Sequence, residues 1–358
     1  MDDASASVDP IPAKTRTYEN DLFLRAARGE KTPYPPIWLM RQAGRMDPEY
    51  LRIREAAGLP LEALFRHPAY AAQFSILPLR FGVDALIYYQ DILTPLAPMG
   101  ASFVFRPGPI LEDVPPSETW PERLQLYDVP RELPFIKETF DLIFEYIGTT
   151  VPVLGFAGAP LTLAAFLLEG KSPTSELTAL RAFARAHPQK MTDLLNLLTD
   201  MTIAFLRYQI QCGAAAVQLF ESIALYLSPL EYRDYALPYQ TRIFSALRGT
   251  VPTILFARSW SRLEDLAAAG ADILSLPSTL NIRMVRRALG AKQVVQGNLD
   301  NTLLAHGTLE EIEYATRRCV EEGERYGHIF NLSHGVLPST PLEHVLHVIG
   351  IVKSYAAV

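Results

Sequence analysis

The chain has 358 residues, 49% hydrophobic and 20% charged, an ordinary globular composition with ample length for a large core. A net charge of −6 supplies no overall attraction for anions. It argues against nucleic acid as a partner and requires any polyanionic ligand to be held by local cations. Two cysteines, Cys212 and Cys319, cannot build a disulfide framework, and both fall in helical patterns.

Residues 1–17, rich in Asp, Ser, Ala and Pro without periodicity, are expected to form a disordered tail before a single domain over 18–358. Met1-Asp2-Asp3 lacks the basic and apolar segments of a signal peptide, so a cytoplasmic protein is expected. Tyr18 to Gly29 reads as a helix stopped by its glycine. Eight short apolar runs follow: Pro36–Met40, Ala85–Tyr89, Val151–Phe156, Ala215–Phe220, Pro252–Ala257, Asp272–Leu276, Gln293–Gln296 and Ile329–Leu332. Their near-continuous hydrophobicity is that of parallel strands covered on both sides. Amphipathic segments near 62–81, 133–147, 176–211, 229–247, 261–269, 281–289, 308–325 and 341–356 are expected helices. Ser228-Pro229-Leu230-Glu231 and Thr340-Pro341-Leu342-Glu343 each read as an N-cap, a first-turn proline and a capping-box glutamate. Ser102–Arg106 and Pro109–Glu112, either side of Pro107-Gly108, read as an inserted hairpin.

The uncharged stretch Ile147–Leu168 is long enough to raise a membrane span, but Pro152, Gly155, Gly158 and Pro160 divide it into strand, loop and helix. Eight strand–helix units in one chain predict an α/β fold, a (β/α)8 TIM barrel forming a single domain. An open doubly wound sheet is the alternative, weakened by the lack of a Gly-rich turn after the first run.

Barrel chemistry gathers at the C-terminal ends of strands. The first run ends in Arg41-Gln42-Ala43-Gly44-Arg45, two guanidinium forks four residues apart, a pattern suited to carboxylates or phosphates. The second is followed by Asp91, the fourth by Glu221 and Ser222, the fifth by Arg258 and Ser259, the seventh by Asn298 and the eighth by His334. Asp91 could cap a turn or accept N–H donors and oppose positive charge on a ligand. Ser222 and His334 are equally open to structural roles, as is Arg54 on the helix after the first loop. No metal-ligand spacing is present.

The run Trp38 to Arg45, continuing into Pro48-Glu49-Tyr50, resembles a signature of the uroporphyrinogen decarboxylase family, and Gly155-Phe156-Ala157-Gly158-Ala159-Pro160 resembles another. Phe81–Asp84, Asp91–Leu96, Gln218–Ser222, Gln296–Asp300 and His334-Gly335 match in the family's order. The resemblance implies cofactor-free removal of four acetate carboxyls from uroporphyrinogen to give coproporphyrinogen, by a homodimer. It implies Asp91 and Arg41 as catalytic. It implies Arg41, Gln42, Ala43, Gly44, Arg45, Arg54, Asp91, Phe166, Phe220, Ser222 and His334 as substrate-binding, with no metal. Departures are Phe166 where the family has Tyr, Met46-Asp47 after the second arginine, Ile223 and Leu225 after Ser222, and Pro277-Ser278. Two other readings are a non-catalytic tetrapyrrole-binding barrel and a corrinoid-linked methyltransferase. The latter needs Cys and His ligands that the fifth strand end, Phe256-Ala257-Arg258-Ser259, does not offer.

Overall fold

A computed structural model describes residues 16–290 and 292–357. Most of the expected tail, 1–15, lies outside them; Arg16 already packs, its guanidinium 3.7 Å from the centre of the Phe144 ring. Seven parallel strands pair in chain order: β1 (Leu86–Ile87), β2 (Val153–Gly158), β3 (Ala216–Glu221), β4 (Thr253–Ala257), β5 (Ile273–Ser275), β6 (Val294–Gln296) and β7 (His328–Ile329). Helices alternate with them on the outside. The expected hairpin forms, with Phe103–Phe105 antiparallel to Pro109–Leu111.

The first run closes the ring without being a regular strand. Ile37 bridges Phe330 in parallel, and the Asp84 N–H donates to the Ile37 carbonyl at 2.7 Å. The Phe330 N–H donates to the Pro36 carbonyl at 2.9 Å and the Trp38 N–H to the Phe330 carbonyl at 3.4 Å, while three other N–H groups of this seam go to side chains. Ile37 donates to Asp84 Oδ2 (2.8 Å), Leu39 to Gln42 Oε1 (2.9 Å) and Met40 to Asn331 Oδ1 (3.0 Å). Side-chain acceptors complete a partial ladder, because every buried N–H needs a partner.

The barrel interior is layered. At the bottom Leu154, Ala216, Ile254, Ile273, Val294 and Ile329 pack with Phe23 and Ala26 of helix Leu22–Ala27. Above lies an amide layer, in which Trp38 Nε1 donates to Gln296 Oε1 (3.0 Å) and Gln296 Nε2 to Gln218 Oε1 (2.9 Å). Aromatic rings from β2, β3 and β4 form the top. A larger apolar layer fills the space between sheet and helices.

Several expectations need correction. The helix near 62–81 is broken at His67-Pro68 into Leu61–Arg66 and Pro68–Ile76, and then tightens over Leu77–Phe81. That near 176–211 is broken at His187-Pro188; a residue before proline avoids the helical region. β2 runs on through Gly158, two residues past the expected run, so Gly158 ends the strand and is not in the turn after it, while Gly155 lies in the strand as expected. A Cβ on Gly155 would stand 2.4 Å from Gln209 Oε1, and the glycine lets the helix Pro188–Cys212 press against the strand. Ser228 caps as expected, but Thr340 does not: Pro341 holds the cap position before Leu342–Ser354, without a side-chain bond.

Candidate active site

At the C-terminal ends of the strands lies a cavity of about 810 Å³, toward the upper end for small-molecule sites. Its floor is an aromatic arc. Phe156 meets Phe220 edge-on at 5.6 Å, Phe220 meets Phe256 at 5.4 Å, and Phe256 meets the His334 ring at 5.7 Å. Parallel register sets Phe220 beside Phe256, so these rings occupy one level of the barrel. The hairpin contributes Phe105 and Pro107 to the rim, with Ser172 beside its Gly108.

Nine of the expected residues line this cavity: Arg41, Ala43, Gly44, Arg45, Arg54, Asp91, Phe220, Ser222 and His334. Gln42 and Phe166 do not. The Gln42 side chain is buried beneath the loop, accepting from Leu39 and donating to the Ala85 carbonyl at 3.1 Å. It shapes the Arg41 turn from behind. Phe166 lies in the helix Pro160–Glu169 and packs edge-on against Phe103 at 6.3 Å.

Arg41 occupies the left-handed region, with φ of 62°, a conformation that costs a non-glycine residue energy and gathers at functional sites. Its stem runs over Gly335, where a Cβ would come within 2.5 Å of Arg41 Cδ. Burial, then Arg258, then Arg45 lower its proton affinity. Among the described residues, no carboxylate lies within 4.0 Å of Arg41, Arg45, Arg54 or Arg258. Guanidiniums without counter-charge are able to take carboxylates or phosphates, and Arg41, Arg45 and Arg54 present theirs at the cavity.

Asp91 accepts the Leu93 N–H at 2.9 Å through Oδ1, so the turn-capping role is real. Its other oxygen has no hydrogen-bond partner among the described residues. Burial pushes its carboxyl up to about 7, against the opposing pull of the Leu93 N–H and Arg66. Asp91 also borders a smaller cavity of about 10 Å³, shared with Glu62, Arg66 and Thr94. Glu221 is likewise raised to about 7 by burial, but its oxygens face Thr162 Oγ1 (2.6 Å) and Gln240 Nε2 (3.2 Å). The same Thr162 hydroxyl accepts the Ser222 N–H at 2.8 Å, so Glu221 braces Ser222 from outside the barrel.

His334 Nδ1 accepts the Gly335 N–H at 2.7 Å. Burial, Arg258 and Arg41 hold the imidazole down to about 3. It is therefore a neutral donor through Nε2 at ordinary pH. Sequence reasoning passed over Phe156, Phe256, Tyr50 and Tyr89, which all line the cavity. The two phenylalanines sit near the ends of their runs, where the alternation of strand side chains marks them as inward-facing. Tyr50 and Tyr89 share a 2.7 Å hydroxyl contact beyond the reach of any local pattern.

Fold and site together define a (β/α)8 barrel whose mouth combines an aromatic floor, unpaired arginines and one carboxylate raised by burial. The uroporphyrinogen decarboxylase family model matches residues 18–355, and the chain belongs to that family. A uroporphyrinogen decarboxylase of Geobacter metallireducens is 37% identical over 334 residues, covering 92% of this chain and 97% of the relative. That of Thermus thermophilus is 39% identical over 343 residues, covering 94% and 99%. Among solved structures, a methyltransferase from Methanosarcina mazei superposes with a TM-score of 0.79 at 17% identity, covering 95% of this chain and 99% of that one, a likeness of fold alone.

Proposed function

We propose that this chain decarboxylates the four acetate side chains of uroporphyrinogen III, giving coproporphyrinogen III in tetrapyrrole biosynthesis. The observation that carries the reading is one raised carboxylate, Asp91, set among unpaired arginines over an aromatic floor. Uroporphyrinogen has eight carboxylates around four pyrrole N–H groups. Its saturated bridges let it dome, so several N–H groups can point at one carboxylate. Loss of CO2 from a pyrrole acetate needs an electron sink. Protonating the ring carbon beside the nitrogen makes one, as an iminium-like cation. CO2 leaves, the exocyclic carbon gains a proton, and the ring carbon returns its own, so each round consumes one proton. Asp91 opposes the cationic charge as it develops. Arg41, Arg45 and Arg54 hold side-chain carboxylates, and Ser222 and His334 donate to others. The pyrrole itself is the electron sink, so the reading requires neither cofactor nor metal. We also read the protein as a cytoplasmic homodimer, in keeping with the family resemblance; among the described residues no helix is long and apolar enough to cross a membrane.

The test is anaerobic incubation with freshly reduced uroporphyrinogen III, following CO2 and coproporphyrinogen. Binding without CO2 release would leave a tetrapyrrole-binding barrel. The corrinoid-linked alternative has less support, because both cysteines are buried and neither lines the cavity.

Two expectations follow for turnover. Asp91 must be ionised to accept N–H groups, and its carboxylate is lost as pH falls through about 7. Hence kcat/KM declines about tenfold per unit below that point. Glu221 titrates in the same range but faces away from the cavity, so Glu221→Gln keeps this limb; its disappearance would assign the limb to Glu221. Phe166→Tyr, outside the cavity, changes turnover by less than about tenfold, the worth of one auxiliary hydrogen bond. A jump from inactivity to robust activity would instead make that hydroxyl essential.

A further inference from the structure

Arg258, at the end of the fifth run, is not among the residues that line the cavity, yet its charge acts on two that are, His334 and Arg41. It is the first residue beyond β4, and its N–H donates to the Glu221 carbonyl at 3.1 Å. β3 and β4 pair Glu221 with Ala257, so the next step in register sets Arg258 beside Ser222. Two residues before it, Phe256 carries the ring that meets His334 at 5.7 Å. Arg258 is half-buried and has no carboxylate within 4.0 Å among the described residues. Its charge is felt at both His334 and Arg41, where it is the first-ranked of the charged neighbours. A cation held near another cation, with nothing opposing it, costs the free protein energy. A carboxylate would reverse the sign of that interaction.

We propose that Arg258, with the Ser222 hydroxyl and the His334 Nε2–H, forms a carboxylate subsite that holds one side chain of the tetrapyrrole. The subsite offers one guanidinium and two neutral donors to a single carboxylate. Arg258 acts here as a binding residue, and the claim rests on the function proposed above.

The test compares wild type with Arg258→Met and Arg258→Lys, using coproporphyrinogen III kept reduced and anaerobic as the probe. Arg258→Met weakens its binding by about 10- to 100-fold, the range for losing a charged hydrogen-bonded contact. Arg258→Lys, keeping the charge without the fork, recovers part of the loss. KM for uroporphyrinogen rises in step, and partly decarboxylated intermediates are released because the macrocycle is held less firmly between rounds. A second readout needs no substrate. In Arg258→Met the His334 imidazole, followed by NMR, titrates at higher pH, because one of the cations opposing its protonation is gone. The other groups facing that ring, Arg41, the Gly335 N–H and the Phe256 edge, are untouched. Unchanged coproporphyrinogen binding in Arg258→Met overturns the proposal, and so does an unmoved His334 titration. If wild type binds coproporphyrinogen but releases no CO2 from uroporphyrinogen, the decarboxylase reading fails while the subsite stands on its binding data.

Discussion

Asp91→Asn is expected to lose turnover by at least ~100-fold, the scale of removing one preorganised electrostatic group. The structure separates two roles in one side chain. Oδ1 caps the turn by accepting the Leu93 N–H at 2.9 Å. The other oxygen has no hydrogen-bond partner among the described residues, and in the proposed reaction it and the negative charge act in the cavity. Asparagine keeps the cap, so thermal stability should hardly move. It removes the charge, which matters most when the pyrrole ring becomes cationic. Coproporphyrinogen binding should therefore fall by a smaller factor than kcat. Asp91→Glu should also fail, because one more methylene pushes the carboxylate into space the macrocycle occupies. Steady-state kinetics beside calorimetric binding decide the matter. Near-normal turnover in the asparagine variant would reduce Asp91 to its turn.

Arg41→Lys should weaken coproporphyrinogen binding by ~1.5–3 kcal/mol, roughly 10- to 150-fold. Lysine preserves the charge but not the planar fork. Its backbone would keep the left-handed turn at the same cost as arginine's, since both carry a Cβ. The loss should thus appear in the complex and not in thermal stability. Arg41 reaches its place over Gly335, so the shorter donor of lysine has the same path but stops nearer the wall. Binding that is unaltered at both low and high ionic strength would place Arg41 outside the site.

The order of the strands could be read from the runs themselves, because a parallel barrel buries both faces and leaves near-continuous hydrophobicity. The residues at the run ends then had to share one mouth, and Arg41, Asp91, Ser222 and His334 do. Local pattern failed where long-range contacts decide. Gln42 sits between two arginines that line the cavity, yet its amide is spent on Leu39 and Ala85. Phe166 follows a family position, but its ring is drawn to Phe103 of the inserted hairpin. Gly155 falls in an expected strand, but why that position is a glycine shows only in the approach of Gln209. The capping box Thr308–Glu311 has the required spacing and went unnoted, whereas Thr340, with a similar pattern, is displaced by Pro341. The environment of Asp91 was not legible at all, since the burial that raises it comes from chain segments brought together only by folding.

The side-chain clasps of the seam bear on how the protein is made. Met40 is fastened by Asn331, a residue 291 positions later, and Ile37 leans on Phe330. The segment carrying Arg41 is thus fixed in part by residues from the far end of the barrel's strand order. Trp38 and Leu39, fully buried in the finished barrel, belong to a segment held by Asp84 and Ala85 on one side and by the distant Phe330 and Asn331 on the other. Contacts this distant in sequence form late and leave apolar surface uncovered meanwhile. The turn that carries Arg41 is therefore expected to be among the last parts of the barrel to set.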